Sequence, residues 1–219
     1  MAAVTFRNAE ETDATEIVTM LRSHLLGGRF LWEVLEAHKR DPGPALQALV
    51  ETPDSEYGYE QTTLAYDESS GLAGLFIGYP RDLLSVLGPR SLTALMRGRS
   101  PLAWPGLIRA QARLARVEPP FPQASYVLRS VCSADLSVVP AIVGEAVSEA
   151  VEEECETIVI NVYEQDGDLE KVLIKQGFQA ADSRPITDRK LIERLGTGES
   201  RQLSLATGYL GERLEPDED

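Results

Sequence analysis

Two cysteines and two histidines could in principle hold a metal: Cys132, Cys155, His24 and His38. No pair of them has a ligand spacing such as Cys-x-x-Cys or His-x-x-x-His, so no metal site is expected. Cys132 has no His near it in sequence, and only folding could bring His24 or His38 to it. Such a thiol reads as a small buried apolar group. Charge is the second signal. Residues 81–117 carry seven arginines (Arg81, Arg90, Arg97, Arg99, Arg109, Arg113, Arg116) against one acid, Asp82, in a chain of formal net charge −14. Arg109, Arg113 and Arg116 share one helical face. This basic segment suits docking to an anionic partner or a membrane surface. The favoured reading is pairing, within the chain or across a dimer, with acidic faces such as Glu145, Glu149, Glu152 and Glu153.

The elements that must position these groups fit one domain. The chain has 219 residues, 43% hydrophobic and 26% charged, enough to bury a core without staples. No apolar run is long enough to cross a bilayer. Nothing marks the start for export, so a cytoplasmic location is expected. The acidic balance argues against nucleic acid, whose binding rests on neutralising phosphates. It favours cationic partners, small amines or basic peptides. The insert, with Trp104, offers apolar surface on which a homodimer could form.

Val4–Arg7 alternates as a strand. Asp13–Leu26 reads as a helix, with Asp13 as its cap and Glu16 completing a box, and helices follow at Phe30–Lys39 and from about Ala45 to Glu51. Thr62–Tyr66 and Leu72–Tyr79 form a hairpin. Residues 80–121 form a helical insert, broken at Gly88–Pro89 and at Gly98–Pro101. Then come the strand Tyr126–Cys132, the helix Val138–Glu154, the buried strand Thr157–Tyr163, and a helix Asp168–Gln176 closed by Gly177. Strands at Phe178–Ala181 and Gln202–Thr207 finish the fold, and Glu212–Asp219 is an acidic tail. The pattern is α/β (α+β): one domain over 1–211, a mixed sheet covered by helices on both faces.

This order resembles the GNAT superfamily of acyl-CoA-dependent N-acetyltransferases. The opening Val4-Thr5-Phe6-Arg7 with its acidic lead into a helix, the hairpin Leu64–Tyr66 to Gly74–Gly78, and the Gly-Phe corner Lys175-Gln176-Gly177-Phe178 carry the likeness. It implies transfer of an acyl group from acetyl-CoA or another acyl-CoA to an amine. It places the donor between the strands Tyr126–Cys132 and Thr157–Tyr163. Backbone groups of Val131, Cys132 and Ser133 would hold the pantetheine and thioester. Backbone N–H groups of Val139, Ala141, Ile142 and Val143 would face the pyrophosphate. The basic insert could then also serve coenzyme A phosphates.

The departures are chemical. The family's loop Arg/Gln-x-x-Gly-x-Gly/Ala corresponds to Val138-Val139-Pro140-Ala141-Ile142-Val143, which has no Arg and no Gly, and Pro140 has no N–H. Asp166, Leu169 and Leu173 stand where the family often has Asn, Ala and Tyr. Asp166 adds negative charge near the cofactor, and Leu173 cannot protonate a thiolate. Tyr163 is the nearest remaining phenol to the donor position that the resemblance implies, and Glu164 beside it is the candidate base; the plainer readings are a packed strand-end Tyr and a solvated Glu. The alternative is a non-catalytic member that keeps the fold as a ligand-binding or protein-interaction module.

Overall fold

In a computed structural model, residues 4–24, 43–67, 71–97, 104–163, 166–187, 189, 192 and 198–208 are described. The expected helix Phe30–Lys39, the break at Gly98–Pro101, the base Glu164 and the acidic tail lie outside them.

The strands are β1 (Val4–Asn8), β2 (Thr62–Asp67), β3 (Gly71–Pro80), β4 (Ser125–Ser133), β5 (Thr157–Tyr163), β6 (Gln179–Pro185) and β7 (Glu199–Ala206). They form one sheet in the order β1-β2-β3-β4-β5-β7-β6. Only β4 and β5 run parallel; the other neighbours are antiparallel. The helices are α1 (Ala14–Ser23), α2 (Gly43–Val50), α3 (Leu84–Met96), α4 (Trp104–Leu114), α5 (Val139–Glu152) and α6 (Gly167–Lys175). The fold class is the mixed α/β arrangement expected.

Period-two alternation splits the core across the sheet. Leu75, Ile77, Tyr79, Val127, Cys132, Val159 and Tyr163 pack with α1, α2 and α3 on one face. Phe76, Leu128, Val131, Ile158, Ile160 and Val162 pack with α5 and α6 on the other. Both cysteines are buried and free of disulfides. Gly177 takes the left-handed conformation at φ 101° that closes α6, and Phe178, 2% exposed, turns inward behind it.

Two local expectations are corrected. Asp13 does not cap α1 with its side chain. Its carboxylate instead takes a two-pronged bond from Arg7, at 2.7 and 2.8 Å, and the backbone N–H of Glu10 at 2.8 Å. The box therefore spans Glu10–Asp13, one short turn earlier, because a charged bidentate pair outcompetes a neutral cap. Gly88–Pro89 does not break the insert either: α3 runs through it. Leu87, Ala94 and Leu95 bury the helix's apolar side. Ser91 pins it, donating to Leu87 O at 2.9 Å and accepting from Glu56 N at 2.8 Å. That packing outweighs the hydrogen bond Pro89 cannot make.

Candidate functional site

β4 and β5 pair only at Ser125–Thr157, Tyr126–Ile158 and Val127–Val159. Beyond those residues the strands separate, although both continue, to Ser133 and Tyr163. The result is a gap in the middle of the sheet. β4 also carries a bulge at its edge. Ile77 of β3 lies opposite Ser130 and Gly78 opposite Leu128, which leaves Arg129 as the extra residue. A bulge turns two successive side chains to one face. Arg129 and Ser130 accordingly join Val127 and Cys132 on the α1–α3 side.

The backbone beyond the bulge follows the alternation of an antiparallel ladder, in which every second residue turns its polar groups away from its partner. Ser133 is such a residue: its N–H goes to His24 O at 3.1 Å rather than to β3. Two residues back, Val131 has the same orientation, and its N–H and C=O point toward the gap. Of the three residues expected to hold a thioester arm, only Val131 presents free backbone there. Cys132 sits opposite Leu75 in the ladder. Its thiol is fully buried, and burial pushes its pKa far up. The Ser133 hydroxyl is committed to Ala73 O and Asp135 O, at 3.0 and 2.7 Å.

Arg129 lies at the centre of a buried polar cluster. Its guanidinium meets Glu118 at 3.1 Å and Glu56 at 3.3 Å, with the three side chains 8%, 12% and 11% exposed. It also stacks over the Tyr57 ring at 5.8 Å. Tyr79 donates to Glu56 at 3.2 Å. From the far bank of the gap, β5 contributes Asn161 and Tyr163, opposite Gln202 and Ser200 of β7. Gln202 donates to Asn161 Oδ1 at 3.1 Å. Among the described residues, Tyr57 Oη, Ser130 Oγ, Asn161 Nδ2, Tyr163 Oη and Ser200 Oγ are buried without a hydrogen-bonded protein partner. Such groups are rare in folded proteins and call for solvent or a ligand.

The surrounding loops are built to hold this cluster. Residues 51–58 are cross-tied: Ser55 donates to Leu49 O at 2.7 Å, and Tyr57 N donates to Ser55 Oγ at 3.2 Å. A Cβ on Gly58 would meet Pro53 O and Thr52 O at 2.4 Å, so the loop closes only around glycine. Glu118 follows α4 and the buried Val117, which makes the basic insert the carrier of an inward-facing acid.

The electrostatics are uneven. Two carboxylates share one guanidinium. Burial raises the pKa of Glu118, and Arg129 only partly offsets that rise. Burial also lifts Tyr163 well above an ordinary phenol, Glu118 adds to the effect, and the Arg129 charge opposes it. Tyr163 therefore stays protonated and offers a hydrogen bond rather than a readily lost proton.

The start of α5 is the other element expected to face the donor. Val138 N donates to Asp135 O at 3.1 Å and Val139 N to Leu136 O. Pro140 has no N–H. A helix beginning at Val139 uses the N–H groups of Ile142 and Val143 in its own first bonds. The N–H groups of Val139, Ile142 and Val143 are thus engaged within the chain, and of the four residues expected to face a pyrophosphate Ala141 alone keeps a first-turn N–H. Asp135 stands in front, taking Ser137 N at 2.8 Å and Ser137 Oγ at 2.7 Å. Those two bonds, the backbone one first, hold its pKa below the usual carboxylate value, so it is charged.

Asp166 stands at the start of α6. It is 3% exposed and its carboxylate accepts the backbone N–H of Tyr163 at 3.0 Å, fastening the end of β5. Leu173 is fully buried in the core. In the insert, Arg90 pairs with Asp54 and Arg81 with Asp82. Glu149 instead accepts from Thr63 at 2.6 Å and Tyr126 at 2.5 Å. Trp104 and Ile108 are 38% and 49% exposed.

Arg129, Glu118, Glu56 and Asn161 were not among the residues expected from the sequence. The signal was present for two of them: Arg129 interrupts the apolar run Tyr126-Val127-Leu128, and Asn161 interrupts Ile158-Val159-Ile160. A polar residue inside a buried strand is rarely idle. Nothing local marked Glu56 or Glu118.

No protein-family model and no curated protein matches the sequence. Solved structures do match the fold. An N-acetyltransferase from Staphylococcus aureus Mu50 aligns over 92% of this chain and 100% of its own, with TM-score 0.56 and 13% identity. An agmatine N-acetyltransferase mutant aligns over 93% and 99%, with TM-score 0.56 and 9% identity. A GCN5-related N-acetyltransferase from Kribbella flavida aligns over 93% and 98%, with TM-score 0.53 and 17% identity. The chain has the fold of the GNAT acetyltransferases. No helix among the described residues is long and apolar enough to cross a membrane.

Proposed function

We propose that this protein is an N-acyltransferase that moves an acyl group from a thioester on a pantetheine arm, such as that of acetyl-CoA or another acyl-CoA, to an amine. The observation that carries this is the gap itself. The β4–β5 pairing ends at Val127 and Val159, and Val131 backbone groups and the orphaned polar atoms around Tyr163 converge beside it. An extended, amide-bearing arm fits between separated strands as a short strand does.

In the proposed reaction the neutral amine attacks the thioester carbon. The C–N bond forms and the C–S bond breaks. The proton lost by nitrogen passes to Glu118 and from there to the departing thiolate. The raised proton affinity of Glu118 suits it to both transfers. Tyr163 donates a hydrogen bond to the charge that develops at the reacting carbonyl or sulfur. The two carboxylates facing Arg129 favour a cationic acceptor, in keeping with the net charge of −14. The fold neighbours are named for N-acetylation, one of them of agmatine.

Free-thiol release from acetyl-CoA in the presence of a panel of mono- and diamines tests this. Release that depends on an amine and falls in Glu118→Gln supports it. A second reading, a binding module without turnover, is favoured by Leu173, which offers no proton to a thiolate. That reading gives a ligand-induced rise in melting temperature and no thiol release with any amine.

A further inference from the structure

The start of α5 does not fit the nucleotide half of coenzyme A, and that mismatch has a consequence for the donor. Resting on the function proposed above, we infer that the donor is recognised through its acyl-pantetheine arm alone, and that Asp135 discriminates against the pyrophosphate.

A helix N-terminus attracts anions through unpaired N–H groups and a partial positive charge. Here all but one of those N–H groups are engaged, and the charge already faces a carboxylate. Val138 and Val139 N–H close a short 3₁₀ turn, and Ser137 gives both its donors to Asp135. Pro140 gives none. The anion at this helix end is the protein's own carboxylate, held ionised by those same bonds. A pyrophosphate arriving there meets one N–H, at Ala141, and a fixed negative charge. The arm is served differently. Its two amides need strand-like partners, and Val131 presents them in the gap. Ser133 Oγ, bonded to Asp135 O at 2.7 Å, ties the anion-bearing turn to the end of β4, so the two halves of the donor site stand in fixed relation.

The test is calorimetric titration of the whole chain with acetyl-CoA and with S-acetylpantetheine, in low and high salt, for the native protein and for Asp135→Ala. In the native protein the two donors are expected to bind within about threefold of each other. Asp135→Ala should tighten acetyl-CoA by about fivefold or more, in a salt-sensitive way, and leave S-acetylpantetheine unchanged. Asp135→Asn, which keeps an acceptor for Ser137 and loses the charge, should move the same way and covers the case of an Ala variant that folds poorly. Acetyl-CoA binding at least about tenfold tighter than S-acetylpantetheine in the native protein, with no gain in either variant, overturns the inference but leaves the acyltransferase proposal standing. Failure of both donors to bind overturns the two together.

Discussion

Arg129 and Glu118 meet at 3.1 Å on the face of the sheet that carries α1 to α3, and Glu56 approaches the same guanidinium at 3.3 Å. One cation therefore serves two buried acids. Removing the cation and removing one acid are expected to have opposite consequences. Arg129→Ala strands two carboxylates and should cost about 3–5 kcal/mol. Glu118→Gln removes the surplus negative charge and should leave stability unchanged or slightly raised, while amine-dependent turnover falls by about a hundredfold, the usual scale for a lost general base. Urea unfolding of both variants, beside thiol-release assays, checks the contrast. Equal destabilisation by both would remove the case for a functional Glu118.

The pH dependence has a definite sign. Glu118 has a folded-state pKa above its unfolded value because burial penalises its charge. Its ionised form therefore costs stability above the folded pKa, and acidification through that pKa relieves the cost. Asp13 moves the other way, lowered first by its bond from Arg7. Its contribution is present above the unfolded value of 3.8 and is lost as pH falls through the lower folded value. Glu145 is raised by burial and its acidic neighbours, so single curves mix these effects. The difference curve, native minus Glu118→Gln, isolates Glu118. It should rise as pH is lowered toward the ordinary carboxylate range, and a flat curve would contradict the burial.

Tyr163 separates chemistry from packing. Its hydroxyl is buried without a protein partner, so Tyr163→Phe should be neutral or mildly stabilising. Turnover should nonetheless fall by about tenfold or more, as for a lost transition-state hydrogen bond. Tyr163→Ala should unfold more easily by about 3–5 kcal/mol, from the cavity left in the core. Unchanged turnover in Tyr163→Phe would confine the residue to packing.

Gly58 tests the loop that presents Glu56 and Tyr57. An added methyl group would meet two carbonyl oxygens at 2.4 Å, so Gly58→Ala must displace the backbone. The expected result is a loss of about 1–3 kcal/mol together with weaker donor-induced stabilisation. Lower stability with full donor response would show that the loop does not shape the site.

The order of strands and helices was legible in the sequence because apolar periodicity and glycine corners are local signals. Thr157–Tyr163 and the Gly177–Phe178 corner show this. Asp13 and Pro89 were misjudged because Arg7 and the α3 packing lie outside any local window. The site was partly legible. Tyr163 lies beside the gap, but four of the five buried orphan atoms belong to residues no motif singled out. The triad escaped notice because Glu56, Glu118 and Arg129 come from two loops and a bulge, and a bulge leaves no mark in residue spacing. The spent N–H groups before α5 were half visible: Pro140 showed the missing donor, while Asp135 and its grip on Ser137 required the fold.

The most direct measurement is amide hydrogen exchange with and without saturating acetyl-CoA. If a thioester arm lies between β4 and β5, exchange should slow at Val131 and along Ile160–Tyr163, with β6 unchanged. Exchange at Val131 that is indifferent to acetyl-CoA and to S-acetylpantetheine alike would contradict the placement of the donor in the gap.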